Sequence, residues 1–343
     1  MTVLVTGGAG YIGGHMVLAL LDAGEKVVVL DDLSTGFRWA VPEAAKLIVG
    51  DVGDAALVDA ILAEHKIDAI GHFAAKIVVP ESIGEPLRYY LNNTAKARTL
   101  IDCAARGKIK HFIFSSTAAV YGEPAVSPVS ETAPLAPINP YGRSKLMVEW
   151  ILEDAAKAHD LKFAILRYFN VAGADPNGRL GQSTPNATHL IKLAVQAALG
   201  LRPGLEVFGT DYPTRDGTCI RDYIQVSDLI TAHLMALGHL RKGGENFICN
   251  CGYGHGVSVL EVVDAVKQVS GVDFKVRISG RRPGDPASLV AGTERIKAVL
   301  GWTPSYDHLP TIVGQALAWE RRLHDKFLAG TPANANSLTC GGV

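Results

Sequence analysis

Short apolar runs alternate with longer amphipathic stretches along the first half of the chain. Val3–Thr6, Val27–Asp31, Leu47–Val49, Ala69–His72, Phe112–Ser115 and Phe163–Arg167 have strand length and little polar interruption. Between them, His15–Ala23, Ala55–His65, Leu87–Arg106 and Ser144–Ala158 place apolar residues at three- and four-residue spacing, which predicts helices. Strands that are apolar along their whole length are buried on both faces. The alternation therefore predicts an α/β fold, a doubly wound parallel sheet with helices on either side.

The rhythm changes after Asn170. Val171–Pro185 reads as loop and Glu206–Gly217 as turn-rich, while Leu190–Leu199, Asp228–His239, Val259–Val269 and Thr311–His324 carry helical patterns. Phe247–Asn250 and Lys275–Ile278 read as strands, the first a candidate to rejoin the main sheet. The expected organisation is a sheet unit over residues 1–170, rejoined by about 218–250, and a smaller mixed α/β lobe from 171–217 and 251–328. Ala329–Val343 is rich in Gly, Asn, Ser and Thr without periodicity, and is expected to be a disordered tail.

Composition narrows the classes. Hydrophobic residues at 48% and charged residues at 20% exclude a wholly disordered chain. The 34 acidic and 33 basic side chains leave a net charge of -1, so no electrostatic footprint for nucleic acid is expected. No apolar stretch is long enough for a transmembrane helix, and Met1-Thr2 runs into Val3-Leu4-Val5 without a basic segment, so neither a membrane span nor a secretory signal is expected. The five cysteines are scattered with no Cys-x-x-Cys, the pattern of thiols in a reducing cytoplasm. Cys249-x-Cys251 lacks a partner pair at zinc spacing and the histidines contain no His-Glu-x-x-His, so no metal is expected. Glycine stands out at 36 of 343 residues, above the roughly 7% average.

Three of those glycines form a motif. Gly7, Gly10 and Gly13 follow the strand Val3–Thr6 and open a helix. Gly7 suits the tight turn, Gly10 leaves room for a pyrophosphate, and Gly13 lets helix and strand lie close. The free amides and the helix dipole then face the anion. Asp31 ends the second strand about 20 residues on, where a carboxylate accepts adenine-ribose hydroxyls and repels a 2′-phosphate, favouring NAD over NADP. The bland alternative is an ordinary helix-start aspartate. Asp51-Val52 after the third strand is placed to touch the adenine edge.

A second motif, Tyr141-x-x-x-Lys145, sets two side chains one helical turn apart. An ammonium near a phenol favours phenolate, so Lys145 is expected to lower the Tyr141 pKa and make it a general base for a substrate hydroxyl. Ser115-Ser116-Thr117 ends the fifth strand at the sheet edge where ligands bind, and Thr117 can share a proton with the same oxygen. A threonine that only caps a turn is the alternative.

On these residues the chain resembles the extended short-chain dehydrogenase/reductase family, from Met1 to about Arg322. The glycine motif, His72-Phe73-Ala74-Ala75, Pro86–Asn93 and Pro140–Lys145 carry the likeness to the family at large. Leu166–Asn170, Phe208–Thr214, Asp216–Tyr223 and Arg281–Asp285 continue it, and those from Phe208 onward narrow it to the UDP-sugar 4-epimerases. The resemblance implies NAD held tightly through turnover, and exchange of UDP-galactose with UDP-glucose by transient oxidation at C4. It implies Tyr141, Lys145 and Thr117 as catalytic residues. Cofactor contacts are implied at Gly7, Gly10, Tyr11, Ile12, Gly13, Asp31, Asp51, Val52, Phe73, Ala74, Ala75, Lys76, Asn92, Ser115, Tyr141, Lys145 and Tyr168. Contacts to the UDP-hexose are implied at Thr117, Tyr141, Asn170, His189, Leu190, Phe208, Arg221, Arg282 and Asp285. A homodimer is also implied, through Leu87–Arg106 and Ser144–Ala158.

Three departures from the family pattern stand out. Lys76 comes one residue early, with Ile77 in the usual lysine place. His189 replaces an asparagine. Leu289 replaces a bulky tyrosine, leaving room for an N-acetyl group. Rival readings are a 4,6-dehydratase, a 4-epimerase of another UDP-sugar (UDP-N-acetylhexosamine, UDP-glucuronate or UDP-xylose) and a non-catalytic NAD-binding sensor. Dehydratases carry Asp-Glu after the strand-end threonine, where this chain has Ala118-Ala119, and a sensor commonly loses the tyrosine or lysine that both remain here.

Overall fold

The strands expected in the first half all form. The structure is a computed structural model that describes residues 1–184, 187–282 and 284–328. β1 (Thr2–Thr6), β2 (Lys26–Asp31), β3 (Lys46–Val49), β4 (Ala69–His72), β5 (His111–Thr117) and β6 (Lys162–Tyr168) pair in parallel in the order β3-β2-β1-β4-β5-β6. The strand Phe247–Cys251 returns after a long excursion and pairs in parallel outside β6, completing a seven-stranded sheet.

Alternation along each strand builds two cores. Val3, Val5, Val27 and Val29 pack on one face with the helices Tyr11–Asp22 and Val226–Arg241. Leu4, Val28, Leu30, Phe112 and Phe114 pack on the other with the helices Ala55–His65, Lys96–Arg106 and Pro140–Ala158. Each such side chain, fully buried, contributes about 1.5–3 kcal/mol. This is the doubly wound α/β architecture expected, and it puts every parallel strand's carboxyl end on one edge.

Several boundaries differ from the expected ones for local reasons. The helix expected from Ser144 starts at Pro140, because the Asn139 side chain accepts the Gly142 N–H at 2.8 Å and proline suits the first helical position. The helix expected over Leu87–Arg106 begins at Pro86 and is interrupted by a π-helical segment, Tyr90–Ala95. That segment lets Asn93 clamp a neighbouring loop, accepting from Lys76 N at 2.8 Å and donating to Lys76 O at 2.9 Å and Ser144 Oγ at 3.1 Å.

The smaller lobe is built from short strands whose partners are distant in sequence. Asn170–Ala172, at the start of the expected loop, pairs with Tyr223–Gln225. Leu205–Phe208 pairs with Val276–Ser279, and Ile220–Arg221 lies between Val257–Ser258 and Ser288–Leu289. The helix Leu309–Leu328 packs against this lobe and the loop after β2. Among the described residues no helix is long and apolar enough to cross a membrane. The tail Ala329–Val343, Pro185 and Pro283 lie outside the described residues.

Candidate active site

The carboxyl edge of the sheet gathers the glycine turn, the strand-end carboxylate and the Tyr-x-x-x-Lys pair. Gly7 has φ +72°, and a Cβ there would come 2.6 Å from Ala74 N, so the turn lies directly on the backbone after β4. A Cβ at Gly13 would come 2.2 Å from Gly7 O. A Cβ at Gly10 would meet only Gly7 O, at 3.2 Å, so this is the open side of the turn. It is also where the first-turn N–H groups of the helix Tyr11–Asp22 are free, an arrangement that fits a pyrophosphate. The Tyr11 hydroxyl is committed elsewhere, donating to Gly173 O at 2.7 Å, while Ile12 packs into the core.

Asp31 is buried at the end of β2 and accepts from Ala9 N and Leu33 N, both at 2.9 Å. Burial raises its pKa, and these two N–H groups oppose the shift. Its carboxylate thus holds the glycine turn and retains lone pairs for a ribose. Asp51 lies at the same edge, paired with Lys96 at 2.6 Å and accepting Gly53 N at 2.8 Å. That lysine partner was not legible from spacing. Val52 beside it is buried.

Next to the turn, Phe73 packs on His233 with centroids 5.1 Å apart. Lys145 is buried, with its ammonium donating to Ser115 O at 2.9 Å and lying 4.9 Å from the centre of the Phe114 ring. The Ser115 hydroxyl meets the Tyr168 hydroxyl at 2.6 Å. Thr117 Oγ1 accepts Ala119 N at 3.1 Å, the turn-capping role, and its side chain also acts on the buried Tyr141 phenol, drawing its pKa down. Tyr141, Lys145, Thr117, Ser115 and Tyr168 therefore converge.

The expected pKa direction for Tyr141 needs correction. Burial raises it, and only the Thr117 contact draws it partly back. Burial lowers Lys145 to about 7, with Glu149 opposing. The ammonium is turned to the Ser115 carbonyl, so within the protein alone desolvation outweighs any pull of Lys145 on the phenol.

Glu149 was missed in the sequence. It lies one turn beyond Lys145, buried, accepting the Ser116 hydroxyl and pairing with Arg167 Nη2 at 2.6 Å. Arg167 also donates to the Tyr121 hydroxyl at 3.0 Å. A Tyr-x-x-x-Lys-x-x-x-Glu periodicity was the available signal. Asn93, rather than its neighbour Asn92, makes the buried clamp; Asn92 donates to Asn93 at 3.1 Å.

The expected sugar-nucleotide residues form two groups on the lobe. In the first, Arg282 lies 4.7 Å over the Phe208 ring and donates to Asp285 at 3.1 Å. Arg221 pairs with Asp285 at 3.6 Å and donates to Ile220 O and Pro286 O at 2.8 Å. In the second, Asn170, His189 and Leu190 line one cavity with Gln182 and Lys192. Gln182 Nε2 lies 2.7 Å from His189 Nδ1, and burial, then Lys192, lowers the His189 pKa. Leu289 packs against a small apolar cluster that includes Ala118, Leu146 and Phe169.

Residues 3–252 match the model of the NAD dependent epimerase/dehydratase family. The chain belongs to that family. It is 57% identical to the UDP-glucose 4-epimerase of Azospirillum brasilense over 98% of this chain and 97% of that protein. The UDP-glucose 4-epimerase from Brucella ovis, solved in complex with NAD, superposes with a TM-score of 0.90 at 42% identity, covering 92% of this chain and 97% of that one. The UDP-Glc/GlcNAc 4-epimerase of Campylobacter jejuni superposes with a TM-score of 0.82 at 50% identity, covering 94% and 99%.

Proposed function

We propose that this chain is an NAD-dependent UDP-glucose 4-epimerase that interconverts UDP-galactose and UDP-glucose. The observation that carries the reading is that Tyr141, Lys145 and Thr117 gather at the same carboxyl edge of the sheet as the glycine turn. NAD, when bound, supplies an acceptor for the C4 hydride that returns it within the same turnover. Gly7, Gly10, Gly13, Asp31 and the first-turn amides of Tyr11 and Ile12 hold it, with residues 1–170 and 218–250 as the cofactor part. Tyr141 takes the proton of the sugar 4-hydroxyl and later gives it back. Thr117 orients the same oxygen, and Lys145 supplies positive charge beside it. Arg221 and Arg282 neutralise the diphosphate, and Asp285 accepts from ribose hydroxyls. Residues 171–217 and 251–328 thus form the sugar-nucleotide part.

The direct test is incubation of the purified protein with UDP-galactose and no added NAD. Equilibration with UDP-glucose is expected. A 4-keto-6-deoxy product would assign a dehydratase, and no conversion despite bound cofactor would assign a sensor.

Leu289 favours a second substrate. Its side chain packs against the apolar cluster that includes Ala118, the residue after Thr117, and is smaller than a tyrosine, which supports acceptance of UDP-N-acetylglucosamine. Good UDP-galactose turnover with none on the N-acetyl sugar would sink this addition.

The assembly we propose is a homodimer. Leu87 is 80% exposed, Leu91 60% and Trp150 51%, on the two adjacent helical segments already noted for their apolar spacing. Buried in a second copy, such a patch favours association. A cytoplasmic location is supported by Cys103, Cys219, Cys249 and Cys251, all free thiols.

A further inference from the structure

A small aromatic cluster lies apart from the two sheet cores and joins two loops. The first loop follows Asp31. Phe37 N–H donates to Ala9 O at 3.0 Å, and a Cβ on Gly36 would come 2.8 Å from the Ala9 carbonyl carbon. Ala9 N in turn donates to Asp31 at 2.9 Å. Loop and glycine turn are therefore one packed unit. The Phe37 ring stacks on Trp39 with centroids 5.2 Å apart, and Trp39 stacks on Trp319 of the helix Leu309–Leu328 at 6.4 Å. The Lys326 ammonium lies 4.0 Å from the centre of the Trp39 ring.

Trp319 also touches a second loop, 174–183. A Cβ on Gly181 would come 2.3 Å from its ring, so only glycine allows that approach. Its indole N–H donates to Ser183 Oγ at 3.2 Å. Neighbouring residues of the same helix grip this loop too. Glu320 pairs with Lys192 at 2.6 Å, Lys192 donates to Gln182 O at 2.7 Å, and Arg322 donates to Gly178 O. The Gln182 side chain reaches His189 in the cavity shared with Asn170.

We propose that Trp319 is a positioning residue that sets the cofactor-side loop 32–40 and the sugar-side loop 174–183 from one indole ring. This rests on the reading that NAD lies on the glycine turn and the UDP-sugar on the lobe. A ring that served only to fill space would contribute to stability alone. A ring wedged between two ligand loops also fixes where both present their groups, and loops left unfixed must be ordered on binding, which weakens it.

The test is Trp319→Leu in the full-length protein purified with its cofactor. Release of NAD on gel filtration is measured beside KM and kcat for UDP-galactose. Loss of the stack, worth up to about tenfold in an equilibrium, is expected to speed NAD release and raise KM by about that factor. The fall in kcat at saturating NAD and sugar is expected to be smaller. Trp319→Phe keeps an aromatic face and is expected to restore both values most of the way. Should Trp319→Leu not fold, Trp39→Leu replaces it and is expected to shed NAD faster. Unchanged NAD retention and KM with a lowered melting temperature overturn the proposal. A wild-type protein that neither holds NAD nor converts UDP-galactose overturns the functional reading, and this proposal with it, before any variant is made.

Discussion

Tyr141 illustrates how one residue's role depends on what surrounds it. Its spacing to Lys145 is visible in the sequence, but the balance of forces on its proton is not. Burial holds the phenol protonated, so a base needs positive charge close by in the working complex. Removing the hydroxyl removes the proton carrier without disturbing the glycine turn. Tyr141→Phe is expected to lower kcat by about 10²–10⁴-fold while NAD stays bound. Parallel measurement of turnover and cofactor content checks this, and near-normal turnover would remove Tyr141 as the base. Other residue-scale facts were hidden for the same reason. Lys96 on Asp51 and Arg282 over Phe208 are contacts across distant segments, which no local spacing reports.

At the scale of elements, β1–β6 were legible because strands buried on both faces read as unbroken apolar runs. The glycine turn and Asp31 were legible because each sits at a strand end. The lobe was less so: Asn170–Ala172 and Ile220–Arg221 are short and find their partners far along the chain. The π-helical segment that aims Asn93 leaves no apolar signature either. The helix Pro140–Ala158 carries both halves of the site's support, Lys145 on the reacting side and Glu149 beneath it. Glu149→Gln leaves Arg167 buried without its counter-charge, which costs about 3–5 kcal/mol. Calorimetry is expected to show a markedly lower melting temperature, whereas an unchanged one would mean the pair is dispensable. Changing Glu149 to Gln and Arg167 to Met together is expected to recover much of the loss.

At the scale of the molecule, buried histidines make stability depend on pH, three of them with large shifts. Burial lowers the pKa of His15 and His233 to about 4 and of His72 to about 3, from 6.5. Between these values the unfolded chain binds protons that the folded chain refuses. Their contribution is complete above pH 6.5 and lost as pH falls toward 4. Asp31 and Asp222, raised by burial, act in the opposite sense in acid. The expected outcome is a melting temperature that falls from pH 7 to pH 5; a flat profile would count against it. The proposed dimer is tested separately. Trp150→Glu places a charge on the exposed apolar face and is expected to give monomers in sedimentation, while a wild-type monomer would dismiss the face as an interface.

The return of Phe247–Cys251 to the sheet has a further consequence. The chain leaves β6 at Tyr168, builds part of the lobe, and only then supplies the strand that covers β6. A fragment ending near residue 170 would keep the glycine turn and Tyr141 but expose the β6 backbone as an unpaired edge flanked by Phe163 and Ile165. Such an edge invites pairing with other chains. The cofactor half therefore cannot be cut free of the sugar half as a well-behaved module, and completion of the sheet during folding waits for a segment synthesised some eighty residues later.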